Sequence, residues 1–167
     1  ASSTPPWEGG HKLFSGDKSW KTVAPSAIPF HAGDEAPVAL DLEGIAKVKA
    51  DFKSATRRAL DAGYQVIEIH AAHGYLIHQF LSPLSNTRTD EYGGSFENRI
   101  RFLLETLEEV QEYWPQEKPL FVRISATDWC EGGWTVEESV KLSIILKDKG
   151  VDLIDCSSGG LAEQQQI

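Results

Sequence analysis

Three times along this chain an amphipathic helical pattern gives way, after a brief polar turn, to a short apolar run, and that alternation restricts the fold more than any other feature. Ile45, Val48, Phe52, Ala55 and Ala59 recur at three- and four-residue steps and predict a helix of about five turns. Asp41 is placed to cap it and Gly63 to stop it. The β-branched stretch Tyr64 to His70 then reads as a buried strand. Ile100, Leu103, Leu104, Leu107 and Val110 predict a second helix capped by Ser95, with Pro115 and Pro119 bracketing its exit, and Leu120 to Ser125 is the next strand. Thr135-Val136-Glu137-Glu138 has capping-box spacing at the start of a third helix that stops at Gly150, and Val151 to Cys156 is the last strand.

Short connections from helix to strand make the strands parallel through right-handed crossovers, which suits a (β/α)8 barrel or a doubly wound sheet. Either way His70, Ser125 and Ser157 fall at the carboxyl ends of strands, on the rim where both architectures bind ligands. A complete barrel takes roughly 250 residues. With 167 residues and three strand–helix units, residues 1–167 are expected to be one partial barrel, 1–40 a long loop with one short turn of helix and 41–167 the regular part. An open three-stranded parallel sheet leaves both edges unpaired, so a partner is expected: missing barrel segments or a second copy.

Composition narrows the function classes. The net charge of −9 and the lack of a basic stripe argue against nucleic acid as a partner. No apolar run reaches the roughly 20 residues that cross a bilayer. Residues 1–6 lack the regions of a signal peptide, so the expected location is the cytoplasm, without a membrane partner. Cys130 and Cys156 are the only cysteines and lack CxxC spacing, which favours two reduced thiols over a disulfide or a thiolate zinc site. The chain has no methionine even at position 1, which fits an excised piece of a longer protein or a removed start.

The candidate chemistry lies in Glu68-Ile69-His70-Ala71-Ala72-His73-Gly74-Tyr75. His70 at the strand end and His73 in the following turn are spaced to converge on one carbonyl or anionic oxygen, where neutral imidazole N–H groups stabilise negative charge. Two other readings stay open: a metal site using Glu68 as third ligand, and two histidines that merely cap the strand. Tyr75 is placed to hold a phenol over the same pocket, suited to protonating a carbon, or it packs under the loop with a satisfied hydroxyl. Arg123 alternates with Val122 and Ile124, and a buried guanidinium needs an anion. That anion is either Glu68 on the neighbouring strand or an electron-rich cofactor edge. Asn86 to Gly94 reads as a solvated loop, and Gly159-Gly160 is a weak signal for a phosphate nest.

The segment from Ile67 to Phe102, with HAAHGYLIHQFLSPLSNTRTDEYGGSFENRIRF, closely resembles the Old Yellow Enzyme family of FMN-dependent NAD(P)H oxidoreductases. The likeness extends upstream to Val23–Ile28 and downstream to Val122–Ser125, Glu131–Trp134 and Asp155–Gly160, and its His-Ala-Ala-His-Gly-Tyr form is most similar to the ene-reductase branch. The resemblance implies a (β/α)8 barrel with FMN at its carboxyl rim, reduced by NAD(P)H and reoxidised by an α,β-unsaturated carbonyl compound. It implies that His70 and His73 hold the substrate's carbonyl oxygen, with His70 also beside the flavin. It further implies that Tyr75 protonates the α-carbon and that Arg123 lies at the flavin's pyrimidine edge. By the same comparison the chain covers about strands four to six, without the first three strands and the phosphate-binding loops after strands seven and eight. The readings carried forward are a segment of such a reductase, an inactive half-barrel that self-associates without flavin, and a metal-dependent barrel hydrolase.

Overall fold

The computed structural model describes residues 6–8, 13, 19–31 and 33–165. The start of the chain, on which the signal-peptide reading rests, lies largely outside the described residues. Among the described residues of the N-terminal region, Pro6–Glu8 forms a 3-10 turn. Two strands, β1 (Val23–Ala24) and β2 (Val38–Ala39), pair in parallel there, where the sequence predicts none, because two residues each are too few to show a period.

The regular part follows as α1 (Leu42–Asp61), β3 (Ile67–Ala71), α2 (Leu76–Leu81), α3 (Phe96–Gln111), β4 (Leu120–Ser125), α4 (Val136–Asp148) and β5 (Leu153–Ser157). Each sequence-assigned cap does its work. The side chain of Asp41 accepts from Gly44 N, Ser95 from Asn98 N, and Thr135 with Glu138 completes a capping box. Gly63 and Gly150 take φ of +83° and +87° just beyond the ends of α1 and α4, a conformation that stops a helix and suits glycine. The six-residue helix α2 is absent from the sequence reading: it spans under two turns, and its N-cap Tyr75 makes no side-chain cap bond. Its signal is the pairing of Leu76 and Ile77 with Phe80 and Leu81 one turn later.

β3, β4 and β5 form one parallel sheet in that order. Val122 pairs with Ile69 on one side and Ile154 on the other, and Ile124 with Ala71 and Cys156, so these residues share a face. That face is the buried one: Val122, Ile124, Ile100, Phe102, Leu103 and Leu107 all lie in one apolar core that also takes in Ile45 of α1 and Leu142 and Leu146 of α4. Lys49 and Lys53 of α1 meet Glu105 and Glu109 of α3 at 2.5 and 2.9 Å, tying the outer helices together. The opposite face carries Glu68, His70, Arg123, Asp155 and Leu153 and is open. One covered face with one open face is a barrel wall rather than a doubly wound sheet.

Replacing Leu107, fully buried at the centre of α3, by alanine removes core contacts with both sheet and helices. The expected loss is about 3 kcal/mol, read as a lower denaturant midpoint with an unchanged slope.

Candidate active site

Parallel register puts His70, Arg123 and Asp155 side by side across the open face. Ser125 and Ser157 form the next pair toward the carboxyl rim. The alternation of Arg123 with Val122 and Ile124 thus resolves: the aliphatic neighbours go into the core and the guanidinium goes to the open side. Its ion-pair partner is Asp155 on β5, with Nε 3.4 Å from Oδ2, and not Glu68. That contact lacks hydrogen-bond geometry, so the buried Nε of Arg123 has no hydrogen-bond partner.

Beyond β3 the chain turns sharply through His73 and Gly74, with φ of +57° and +72°. Three side chains hold this left-handed pair. Ser125 Oγ accepts from His73 N at 2.9 Å, His78 Nδ1 accepts from Gly74 N at 2.9 Å, and Gln79 Nε2 donates to Gly74 O at 2.6 Å. A Cβ on Gly74 would stand 2.2 Å from Gly160 O, so the loop after β5 presses directly on the turn. The result brings the predicted residues together: the His70 ring centroid is 5.3 Å from that of His73 and 5.2 Å from that of Tyr75. His73 Nε2 lies 2.6 Å from Ser157 Oγ, and Tyr75 is half exposed. Burial, then the nearby His73 ring and the Arg123 guanidinium, hold the His70 imidazole below the usual histidine range. At neutral pH His70 is therefore a neutral ring, able to donate an N–H without carrying charge.

Glu68 does not join the histidines: among the described residues no group of three His, Cys, Asp or Glu side chains is arranged to hold a metal ion. The Gly159-Gly160 pair does adopt positive φ, but its amides are taken, Gly159 N by Thr127 O at 2.8 Å and Gly160 N by Gln165 Oε1 at 2.6 Å. Phosphate recognition there is not supported. The Asn86–Gly94 stretch is only partly a solvated loop: Thr87, Thr89, Asp90, Glu91 and Gly94 are exposed, but Asn86, Tyr92 and Gly93 are buried. Asn86 is buried and donates to Phe80 O and Tyr92 O at 2.7 and 2.8 Å, and Arg88 donates to the carbonyls of Pro25 and Leu40. Sequence reasoning missed the buried group Ser82, His78 and Asp128, whose polar residues lie on an otherwise apolar helix and in a loop far along the chain.

The carboxyl rim of a parallel βα wall, where these rings gather, is where barrel enzymes build their sites. The profile of the NADH:flavin oxidoreductase / NADH oxidase family matches residues 7–166. An NADH:flavin oxidoreductase of Gibberella zeae is 53% identical over 156 residues, covering 87% of this chain and 38% of that protein. An NADPH dehydrogenase of Bacillus velezensis is 54% identical over 140 residues, 84% of this chain and 41% of the other. Among solved structures, morphinone reductase in complex with tetrahydroNAD superposes with a TM-score of 0.73 at 30% identity, over 82% of this chain and 42% of that one. The old yellow enzyme homologue from Zymomonas mobilis gives 0.72 at 32%, over 83% and 42%. The chain belongs to the NADH:flavin oxidoreductase / NADH oxidase family, the Old Yellow Enzyme group of FMN- and NAD(P)H-using barrel oxidoreductases. It spans 38% and 41% of the length of the two curated relatives named above.

Removing the positive charge of Arg123 by substitution to glutamine should raise the His70 pKa toward the ordinary histidine value, because the guanidinium lowers it while Asp155 pulls the other way. Titration of the His70 ring proton by NMR in both proteins measures this. An unchanged midpoint contradicts the assigned cause.

Proposed function

We propose that the protein is an ene-reductase: it reduces the activated C=C of α,β-unsaturated carbonyl compounds, and this chain supplies the part that holds the carbonyl oxygen and returns the proton. The observation that carries the reading is the clustering of the His70, His73 and Tyr75 rings at the rim, above the row His70, Arg123, Asp155.

The orphaned Nε of Arg123 supports a fit to FMN, since a flavin's pyrimidine edge offers acceptors to a donor that has none. Arg123 would hold that edge, with His70 beside it. When bound, FMN supplies the hydride chemistry, taking two electrons from NAD(P)H and delivering a hydride to the alkene.

The chain's own residues do the rest. Neutral His70 donates an N–H to the substrate's carbonyl oxygen, drawing electron density off the alkene and stabilising the negative charge that develops on oxygen. When Ser157 donates its hydroxyl proton to His73 Nε2, the ring carries its own proton on Nδ1, leaving a second N–H for the same oxygen. Tyr75, its ring 5.2 Å from that of His70, protonates the α-carbon through its phenolic hydroxyl.

The reading includes an assembly. Among the described residues β3 and β5 each have one unpaired edge, and Val136, Val140 and Ile144 form an exposed apolar stripe on α4, which favours further barrel segments or a second copy as partner. Light scattering with an absorption spectrum on one sample separates the cases: a larger particle with an oxidised-flavin band supports the completed barrel, and a flavin-free dimer supports an inactive self-associated half.

Tyr75→Phe keeps the ring and removes the proton. In rapid mixing of the FMN-loaded protein, reduction of the flavin by NADPH should be unchanged, while its reoxidation by cyclohexenone should slow about a hundredfold or more. Equal reoxidation rates would remove Tyr75 from the mechanism.

A further inference from the structure

Gly74 stands between the two residues whose rings face His70, and its N–H is 2.9 Å from Nδ1 of His78. A backbone N–H only donates, so Nδ1 is unprotonated and the proton of the neutral ring is on Nε2, 2.8 Å from Asp128 Oδ1. Asp128 comes from the loop after β4. Its second oxygen accepts from Ser82 Oγ at 2.5 Å and from Trp134 N at 2.7 Å. His78, Ser82 and Asp128 are all fully buried. The trio is no hydrolytic triad, because Ser82 bonds to the carboxylate rather than the imidazole and no substrate reaches it.

What the trio does reach is the backbone of the site. A histidine and a glycine in succession at positive φ make a turn that L-residues do not hold unaided. Here Gly74 N–H is satisfied by an imidazole whose tautomer is set by the fully buried Asp128 carboxylate, and the loop after β5 closes the other side at Gly160.

We infer that His78, oriented by Asp128, is a positioning residue that locks the His73–Gly74 turn and thereby sets the Tyr75 phenol against His70. Its effect on turnover rests on the proposed role of Tyr75, whereas the placement itself does not.

Two substitutions separate this role from simple burial of Asp128. His78→Asn keeps an acceptor at the δ position for Gly74 and loses the donor to Asp128. His78→Gln keeps the ε donor and loses the δ acceptor. If His78 positions the turn, the Gly74 amide exchanges about tenfold faster in H78Q and near the wild-type rate in H78N. The Tyr75–His70 ring contact, read by nuclear Overhauser effects, follows the same order. In FMN-loaded protein, H78Q slows flavin reoxidation by cyclohexenone, leaves reduction by NADPH unchanged, and H78N restores the rate. Equal Gly74 exchange in the two variants, or faster exchange in H78N, overturns the inference. So does a ¹⁵N spectrum of the unsubstituted protein showing His78 protonated at Nδ1, a measurement that needs no variant to fold. A loaded wild-type protein that reduces no enone refutes the ene-reductase reading and leaves the exchange comparison to decide the positioning.

Discussion

Everything at the rim depends on the register of three parallel strands. Because side chains alternate faces, a slip of one residue in β4 would send Arg123 into the core and Val122 to the open side. The core forbids it: Val122 and Ile124 are fully buried against α3, and a guanidinium has no partner there. The same alternation that makes the apolar face so regular therefore lines up His70, Arg123 and Asp155 without any further device. The arrangement of the candidate site on this sheet is a by-product of where the aliphatic residues must go.

The loops above the sheet are held differently, by buried polar groups. Asp128 takes three hydrogen bonds from His78, Ser82 and Trp134 N, and these outweigh its burial to keep the carboxyl below the usual carboxylate range. A depressed carboxyl adds stability that is complete above its ordinary range and is lost as pH falls below it. Arg88 and Asn86 act likewise on backbone carbonyls, joining the β1–β2 segment to the chain that follows α2. Because each such group would be costly if left unpaired, the loops have few alternative arrangements.

Periodic elements were legible in the sequence and aperiodic ones were not. α1, α3 and α4 announce themselves by spacing and by Asp41, Ser95 and Thr135, and the three strands by β-branched runs between glycine and proline stops. His70, His73 and Tyr75 were legible because three reactive side chains fall within six residues at a strand end. The Asp128–His78 contact spans fifty residues and has no local pattern, and Asp155 as the partner of Arg123 requires the strand order to be known. The loop Asn86–Gly94 misleads for a related reason: its polar composition is that of a solvated turn, yet its side chains serve the backbone elsewhere in the fold.

The open face gives the site a further dependence. An N–H donor aimed at a developing oxyanion is worth little in water and several-fold more where solvent is excluded, since the interaction scales inversely with the local dielectric. Tyr75 and Arg123 are both partly exposed as the chain stands. Whatever covers the open edges of β3 and β5 and the apolar stripe of α4 would also dry this face, lowering the His70 pKa further and strengthening every hydrogen bond to a bound carbonyl. Under the proposed reading, closure of the wall and activation of the site would be one physical event: the same burial that stabilises the aliphatic edges would supply the low dielectric on which the proposed proton and charge chemistry relies.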